Sequence, residues 1–158
     1  MRFGLALLLT GLLMGSGQAH GQNTKPLFAV VVHGGAGVID RAKLTPDKER
    51  DYRKTLQEAL HIAYRALEGG GSSSDAVEAA VRHMEDSPLF NAGRGSVYTH
   101  EGTIEMDASF MDGATGNAGA VAGVTKVKNP ISAARAVMVK SPHVMLAGEG
   151  ADAFAVDQ

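Results

Sequence analysis

The 158-residue chain has no cysteine and no tryptophan, and aromatic residues make up only 5% of it. Without cysteine there is no disulfide, no thiolate metal site and no cysteine nucleophile. A marked excess of charge of one sign is missing too: 15 Lys and Arg against 17 Asp and Glu leave a formal net charge of −2. With neither a basic field nor stacking rings, nothing points to a nucleic-acid partner. Long apolar runs are confined to Phe3 to Met14, shorter than the ~20 residues a membrane-spanning helix needs. Arg2 before this run and the small residues Gly17 and Ala19 after it predict a cleaved export signal over residues 1–19. The remaining chain is then periplasmic or secreted, with no membrane attachment after cleavage. No cysteine follows the run, so a lipid anchor is excluded as well.

What is present in quantity is glycine, 20 residues, clustered rather than scattered. Residues 20–27 read as a flexible leader. Phe28 to His33 is a continuous apolar, β-branched run, predicting a central strand covered on both faces. It ends in Gly34-Gly35-Ala36-Gly37. Thr45-Pro46 has the cap and first-turn residues of a helix, with Tyr52, Leu56, Ala59, Ala63, Ala66 and Leu67 as its inward stripe and Gly69-Gly70-Gly71 as its stop. A second helix starts at Ser72 to Asp75, with Asp75 and Glu78 spaced like a capping box and Val77, Ala80, Val81 and Met84 on one face. The two helices are expected to pack as a pair on one face of the sheet. Pro88 to Gly95 has no period and predicts irregular backbone. From Ile104 the period becomes two: Ile104, Met106, Ala108 and Phe110 face one way and Glu105, Asp107, Ser109 and Met111 the other. Asp112-Gly113 turns the chain into Ala118–Val124, a strand of small residues that leaves room for a close approach. A third helix opens at Asn129-Pro130, turns Ile131, Ala134 and Met138 inward and ends at Ser141-Pro142. Val144 to Leu146 follows as a short strand, then a further apolar segment from Ala151 to Val156. This order predicts an α+β domain with a mixed sheet.

The glycines after the first strand are not a phosphate loop, since no Gly-Lys-Ser/Thr triplet follows. They read as a flexible rim beside His33, suited to the edge of an active site. Glu105, Asp107 and Asp112 have no histidine companions at zinc spacing and no calcium-loop pattern, so they read as a hydrogen-bonded strand face. None of the six histidines falls in HExxH spacing, and Gly-x-Ser-x-Gly is absent. Gly102-Thr103 has the local form of an N-terminal nucleophile before cleavage. The plainer reading is a β-branched residue entering a strand after a turn.

Taken as an ordered set, four segments are specific: Val32-His33-Gly34-Gly35-Ala36-Gly37, Pro88-Leu89-Phe90-Asn91-Ala92-Gly93-Arg94-Gly95, Met106-Asp107-Ala108-Ser109-Phe110-Met111-Asp112-Gly113 and Ser141-Pro142-His143-Val144-Met145. The set resembles the N-terminal half of the plant-type asparaginase (isoaspartyl peptidase/L-asparaginase) family from Val30 to Phe154. That resemblance implies an N-terminal-nucleophile hydrolase with an αββα sandwich, of which residues 28–158 are the α-subunit half. In the family a precursor cuts itself, and the two chains stay together as α and β subunits in an (αβ)₂ assembly. The new N-terminal threonine of the β subunit attacks asparagine or a β-aspartyl dipeptide, a small-molecule substrate. By the same resemblance Asn91 lies close to the active site, and His33, Gly34 and Gly35 form its rim. Main-chain carbonyls of Met84, Glu85, Ser87, Phe90, Ala92 and Arg94 correspond to a structural Na⁺ loop, with no cofactor for the chemistry itself. After Phe154 a family member runs through a variable linker to its nucleophilic threonine, and Gln158 comes before either. The expectation is therefore a chain whose nucleophile sits on a β half. The alternatives are a glycosylasparaginase-type amidase and a non-catalytic truncated remnant.

Overall fold

Helical spacing after Thr45 becomes α1 (Pro46–Glu68), and that after Ser72 becomes α2 (Ser73–Glu85). The computed structural model describes residues 27–35 and 42–158, so the export signal, all but the last residue of the leader and Ala36-Gly37 lie outside the described residues. Thr45 caps α1 by accepting from the Lys48 N–H, and Pro46 occupies its first turn, where a missing N–H costs nothing. α2 is capped by Ser72, whose Oγ accepts from Asp75 N at 3.1 Å and donates to Asp75 Oδ2 at 2.7 Å. The capping pair is thus Ser72 with Asp75, rather than Asp75 with Glu78, because the helix starts three residues earlier than that spacing supposed. Glu78 is engaged elsewhere, accepting from Ser132 Oγ and Arg135 on α3 (Pro130–Lys140). Burial raises the Glu78 carboxyl, but the Ser132 hydroxyl and the Arg135 guanidinium outweigh it and hold the group below its usual range.

The switch to period two produces β1 (Met106–Met111) and β2 (Ala118–Val124), an antiparallel hairpin as the sequence predicts. Its register breaks between Met106 and Ala108, where Asp107 Oδ1 accepts from Gly123 N at 2.8 Å. Asp112 Oδ1 likewise accepts from Ala114 N, closing the turn. Asp107 and Asp112 are therefore occupied by backbone hydrogen bonding, while Glu105 precedes the strand. β3 (Met145–Ala147) pairs parallel with β2, giving the order β1-β2-β3. The segment after it is helical, α4 (Gly148–Val156).

Two apolar clusters result, and they do not match the expected placement of the helix pair. The α1–α2 pair buries Ala59, Ala63, Ala76 and Ala80 against Val30 and Val32, while α3 and α4 cover the β1-β2-β3 sheet. The sheet core holds Phe110, Val121, Val124, Ile131 and Val137. Complete burial of each valine contributes roughly 1.5–3 kcal/mol. Arg135, lying over the Phe110 ring and bonded to Asp75 and Glu78, joins the two clusters.

Residues 28–33 form no ladder among the described residues. Phe28, Val30 and Val32 turn inward, with Phe28 tilted against Tyr64 at 5.2 Å, whereas Leu27 and Val31 are almost fully exposed. The period is that of a strand, but one face is covered instead of two, because the helix pair supplies only one side. The sheet is one-sided in the same way. Opposite α3 and α4 lie Ser109, Met111, Ala118, Ala120 and Met145, with Met111 and Met145 largely exposed. No helix among the described residues is long and apolar enough to cross a membrane.

Asp152 fixes α4. Its carboxylate, almost wholly buried, accepts from Thr125 N, Thr125 Oγ1 and Lys126 N at 2.8–3.1 Å. Burial opposes the charge, but these donors prevail and hold the carboxyl below its usual range. A carboxyl lowered on folding stabilises the protein above its unfolded pKa and loses that contribution as pH falls through the folded value. Asp152→Asn is therefore expected to destabilise the protein at pH 7, by about 1–3 kcal/mol, and to flatten the loss of stability below about pH 4. Urea unfolding midpoints at pH 7, 4 and 3 check this. A parallel fall in wild type and variant would show that Asp152 carries none of the acid sensitivity.

Candidate functional site

The expected site residues are brought together by one side chain. Phe90, buried, meets the Tyr52 ring edge-on at 5.7 Å. Gly34 lies over Phe90 and Leu56, since a Cβ there would stand 3.3 Å from Phe90 Cε1 and 3.2 Å from Leu56 Cδ2. The 33–35 rim, the first half of α1 and the 88–97 loop thus converge on an open cleft of about 1410 Å³. Asn91 and His33 both line it. Asn91 Oδ1 accepts from Val97 N at 2.9 Å, which pins the loop and leaves the amide N–H₂ as the donor end. His33 Nδ1 accepts from Gly35 N at 3.1 Å, so the neutral ring carries its proton on Nε2. On the α1 wall Arg53 and Glu49 form an ion pair at 2.7 Å, giving that side of the cleft both signs of charge.

Tyr52 and Leu56 are legible only as part of a helical stripe; their contribution to the cleft wall depends on Phe90 reaching them from the loop after α2. Arg53 and Glu49 carried no signal beyond their i, i+4 spacing.

The 84–94 segment curls below this cleft. Met84 O accepts from Ser87 N, Phe90 O from Ala92 N and Ala92 O from Gly95 N, at 2.8–3.1 Å. Each of these carbonyls keeps a second lone pair. Among the described residues no three His, Asp or Glu side chains converge on one point, so a cation in this loop would be held by main-chain oxygens, which suit a hard ion. The segment also holds the one buried side-chain oxygen without a hydrogen-bond partner among the described residues, Glu85 Oε2. An orphaned acidic oxygen on a residue of this loop fits an added positive charge. Burial pushes the Glu85 carboxyl up, and neighbouring Asp86 adds to this, against the Ile131 N–H, the Asn129 amide and Arg82.

The Glu85 side chain has a second role that sequence reading missed. Its Oε1 accepts from Ile131 N at 3.0 Å and so caps α3, whose own cap residue Asn129 makes no capping bond. The Asn129 amide instead donates to Asp86 at 3.1 Å. The one hint was a glutamate placed four residues after Val81 on α2.

Thr103 lies away from these features in a closed turn. Its Oγ1 and that of Thr99 are 2.8 Å apart, Thr99 N donates to its carbonyl, and its own N donates to Thr99 Oγ1. The turn is as expected, but Thr103 is not itself a strand residue, since β1 begins three residues later at Met106.

The family described as asparaginase matches residues 26–158. The isoaspartyl peptidase of Salmonella typhimurium is 51% identical over 129 residues, which is 82% of this chain and 41% of that protein. The plant-type L-asparaginase of Pyrococcus furiosus is 53% identical over 129 residues, 82% of this chain and 40% of its own. The probable isoaspartyl peptidase/L-asparaginase 2 of Arabidopsis thaliana is 47% identical over 131 residues, 83% and 40%. The chain thus spans about two fifths of the length of these curated relatives.

Proposed function

Because the chain belongs to the asparaginase family, we propose that it is the α portion of an N-terminal-threonine amidohydrolase, acting on L-asparagine, on β-aspartyl dipeptides, or on both. The observation that carries this is the convergence of Asn91 with the His33-Gly34-Gly35 rim on one open cleft. In that reading a threonine of the β portion enters the cleft. Its free α-amine takes the hydroxyl proton, and the oxygen attacks the side-chain amide carbon. Ammonia (or the amine of the dipeptide) leaves with a proton, and water then hydrolyses the ester to release aspartate. Asn91, neutral and oriented through Val97, offers a donor there without competing as an acid.

The exposed side of the β1-β2-β3 sheet supports the partnership. Its alanines and two exposed methionines form an apolar face of the kind another sheet covers at about 10 Å. In this reading the sheet would be half of an αββα sandwich, and two such αβ units would make the (αβ)₂ assembly. Carbonyls of Met84, Glu85, Ser87, Phe90, Ala92 and Arg94 would hold a structural Na⁺ that stiffens the floor of the cleft. Residues 1–19 would direct export to the periplasm or the medium.

The test is release of ammonia from L-asparagine and of aspartate from a β-aspartyl dipeptide. The full-length protein with its β portion is expected to be active, and its Thr103→Ala variant to keep kcat/KM within about twofold, since Thr103 is not the nucleophile. The 158-residue chain expressed by itself is expected to show no activity above background. Abolition of activity by Thr103→Ala, or turnover by the isolated chain, would overturn the assignment.

A further inference from the structure

Glu85 stands where three segments meet. Its main chain ends α2, its Cα and Cβ press against Gly93 so closely that a Cβ on that glycine would stand 2.6–2.8 Å away, and its Oε1 caps α3. Only one of its two carboxylate oxygens has a partner within hydrogen-bond distance among the described residues, although the residue is 3% exposed. A buried carboxylate with a bare oxygen calls for a positive charge or a proton. No ion pair reaches the Glu85 carboxylate among the described residues: Arg82 acts on it through space without pairing with it, Lys128 pairs with Asp86 at 2.8 Å, and Arg135 is taken by Asp75 and Glu78.

We propose that the Glu85 side chain is the counter-charge of the ion in the 84–94 loop, so that the site is a main-chain cage completed electrostatically by one buried carboxylate. The inference rests on reading this loop as the Na⁺ loop, and it adds what the carbonyls by themselves lack. Six carbonyl oxygens are neutral dipoles, and a cage of them gains selectivity for a cation over water when a fixed negative charge lies beside it. The same carboxylate caps α3, so ion occupancy and the position of α3 are linked through a single side chain. Loss of the ion would leave the capping carboxylate uncompensated and loosen the α2–α3 seam.

The experiment is thermal unfolding of the full-length protein in NaCl against choline chloride at constant ionic strength, for wild type, Glu85→Gln and Glu85→Ala. Wild type is expected to gain melting temperature with Na⁺ and not with choline. Glu85→Gln retains an oxygen to accept from Ile131 N, so it is expected to keep most of the stability in choline. Its apparent Na⁺ dissociation constant, from the midpoint of the melting-temperature titration, is expected to rise at least tenfold. Glu85→Ala loses both the cap and the response. A wild-type Na⁺ response that persists unchanged in Glu85→Gln overturns the counter-charge and leaves the loop reading intact. No Na⁺ response in wild type overturns the loop reading, and the counter-charge with it.

Discussion

Gly119→Ala is expected to remove most of the soluble protein and to lower the stability of what remains by about 3 kcal/mol or more, the upper part of the overpacking range. Gly119 is on β2, the middle strand, where α3 crosses the sheet. A Cβ there would stand 2.8 Å from Met138 Cβ and closer still to Ala134 O and Met138 N. Two of those neighbours are helix backbone, which cannot turn aside as a side chain does. α3 would have to lift from the sheet, and Val137 and Ala134, now wholly buried, would lose their contacts with Val121 and Phe110. Against a total stability of about 5–15 kcal/mol this is a large share. Gly113→Ala is the control, because nothing stands within 4 Å of a Cβ there and the position needs no left-handed backbone. It is expected to change stability by no more than about 0.5 kcal/mol. Soluble yield and thermal midpoint measure both, and equal behaviour of the two variants would mean that α3 does not pack on β2 at this distance.

Gly119 also shows how far the sequence was readable. A strand of alanine and glycine announces that something approaches closely, but the identity of the visitor depends on residues 134–138 folding back across it. Local patterns read true where a single element settles them. The α1 stripe with its Thr45 cap, the inward face of β1 and the Pro130 first turn of α3 each follow from spacing and local chemistry within a dozen residues. Readings failed where a distant partner decides. Residues 28–33 keep strand period without a ladder among the described residues, because pairing is a property of two segments and covering of a third. Glu78 is drawn from its own helix end by Arg135 and Ser132, more than 50 residues away. The cap of α3 comes from Glu85, 46 residues before Ile131. The site was more legible than its supports. An ordered set of motifs singles out Asn91 and the His33 rim, which line one cleft, whereas Phe90, Tyr52 and Leu56, which hold them together, carry only the ordinary signature of core residues.

Gly93→Ala is expected to have the largest effect on the cleft itself, because two separate penalties coincide at that position. Its φ is +55°, a left-handed conformation that costs an alanine roughly 1–2 kcal/mol. In addition a Cβ would stand 2.6 Å from Glu85 Cβ, 2.8 Å from Glu85 Cα and nearer still to Glu85 O. Overpacking adds about 1–3 kcal/mol, and the strain falls on a carbonyl proposed to face the ion. Gly102→Ala separates the two penalties: φ is +81° there, but nothing lies within 4 Å. It should cost the conformational part only, with activity nearly unchanged. For Gly93→Ala the thermal midpoint is expected to fall at least twice as far, and kcat/KM to drop tenfold or more as Asn91 moves with the displaced loop. Comparable falls in melting temperature for the two variants would show that the loop yields to the added methyl. A stable Gly93→Ala protein with undiminished turnover would go further and detach the 84–94 loop from the chemistry of the cleft above it.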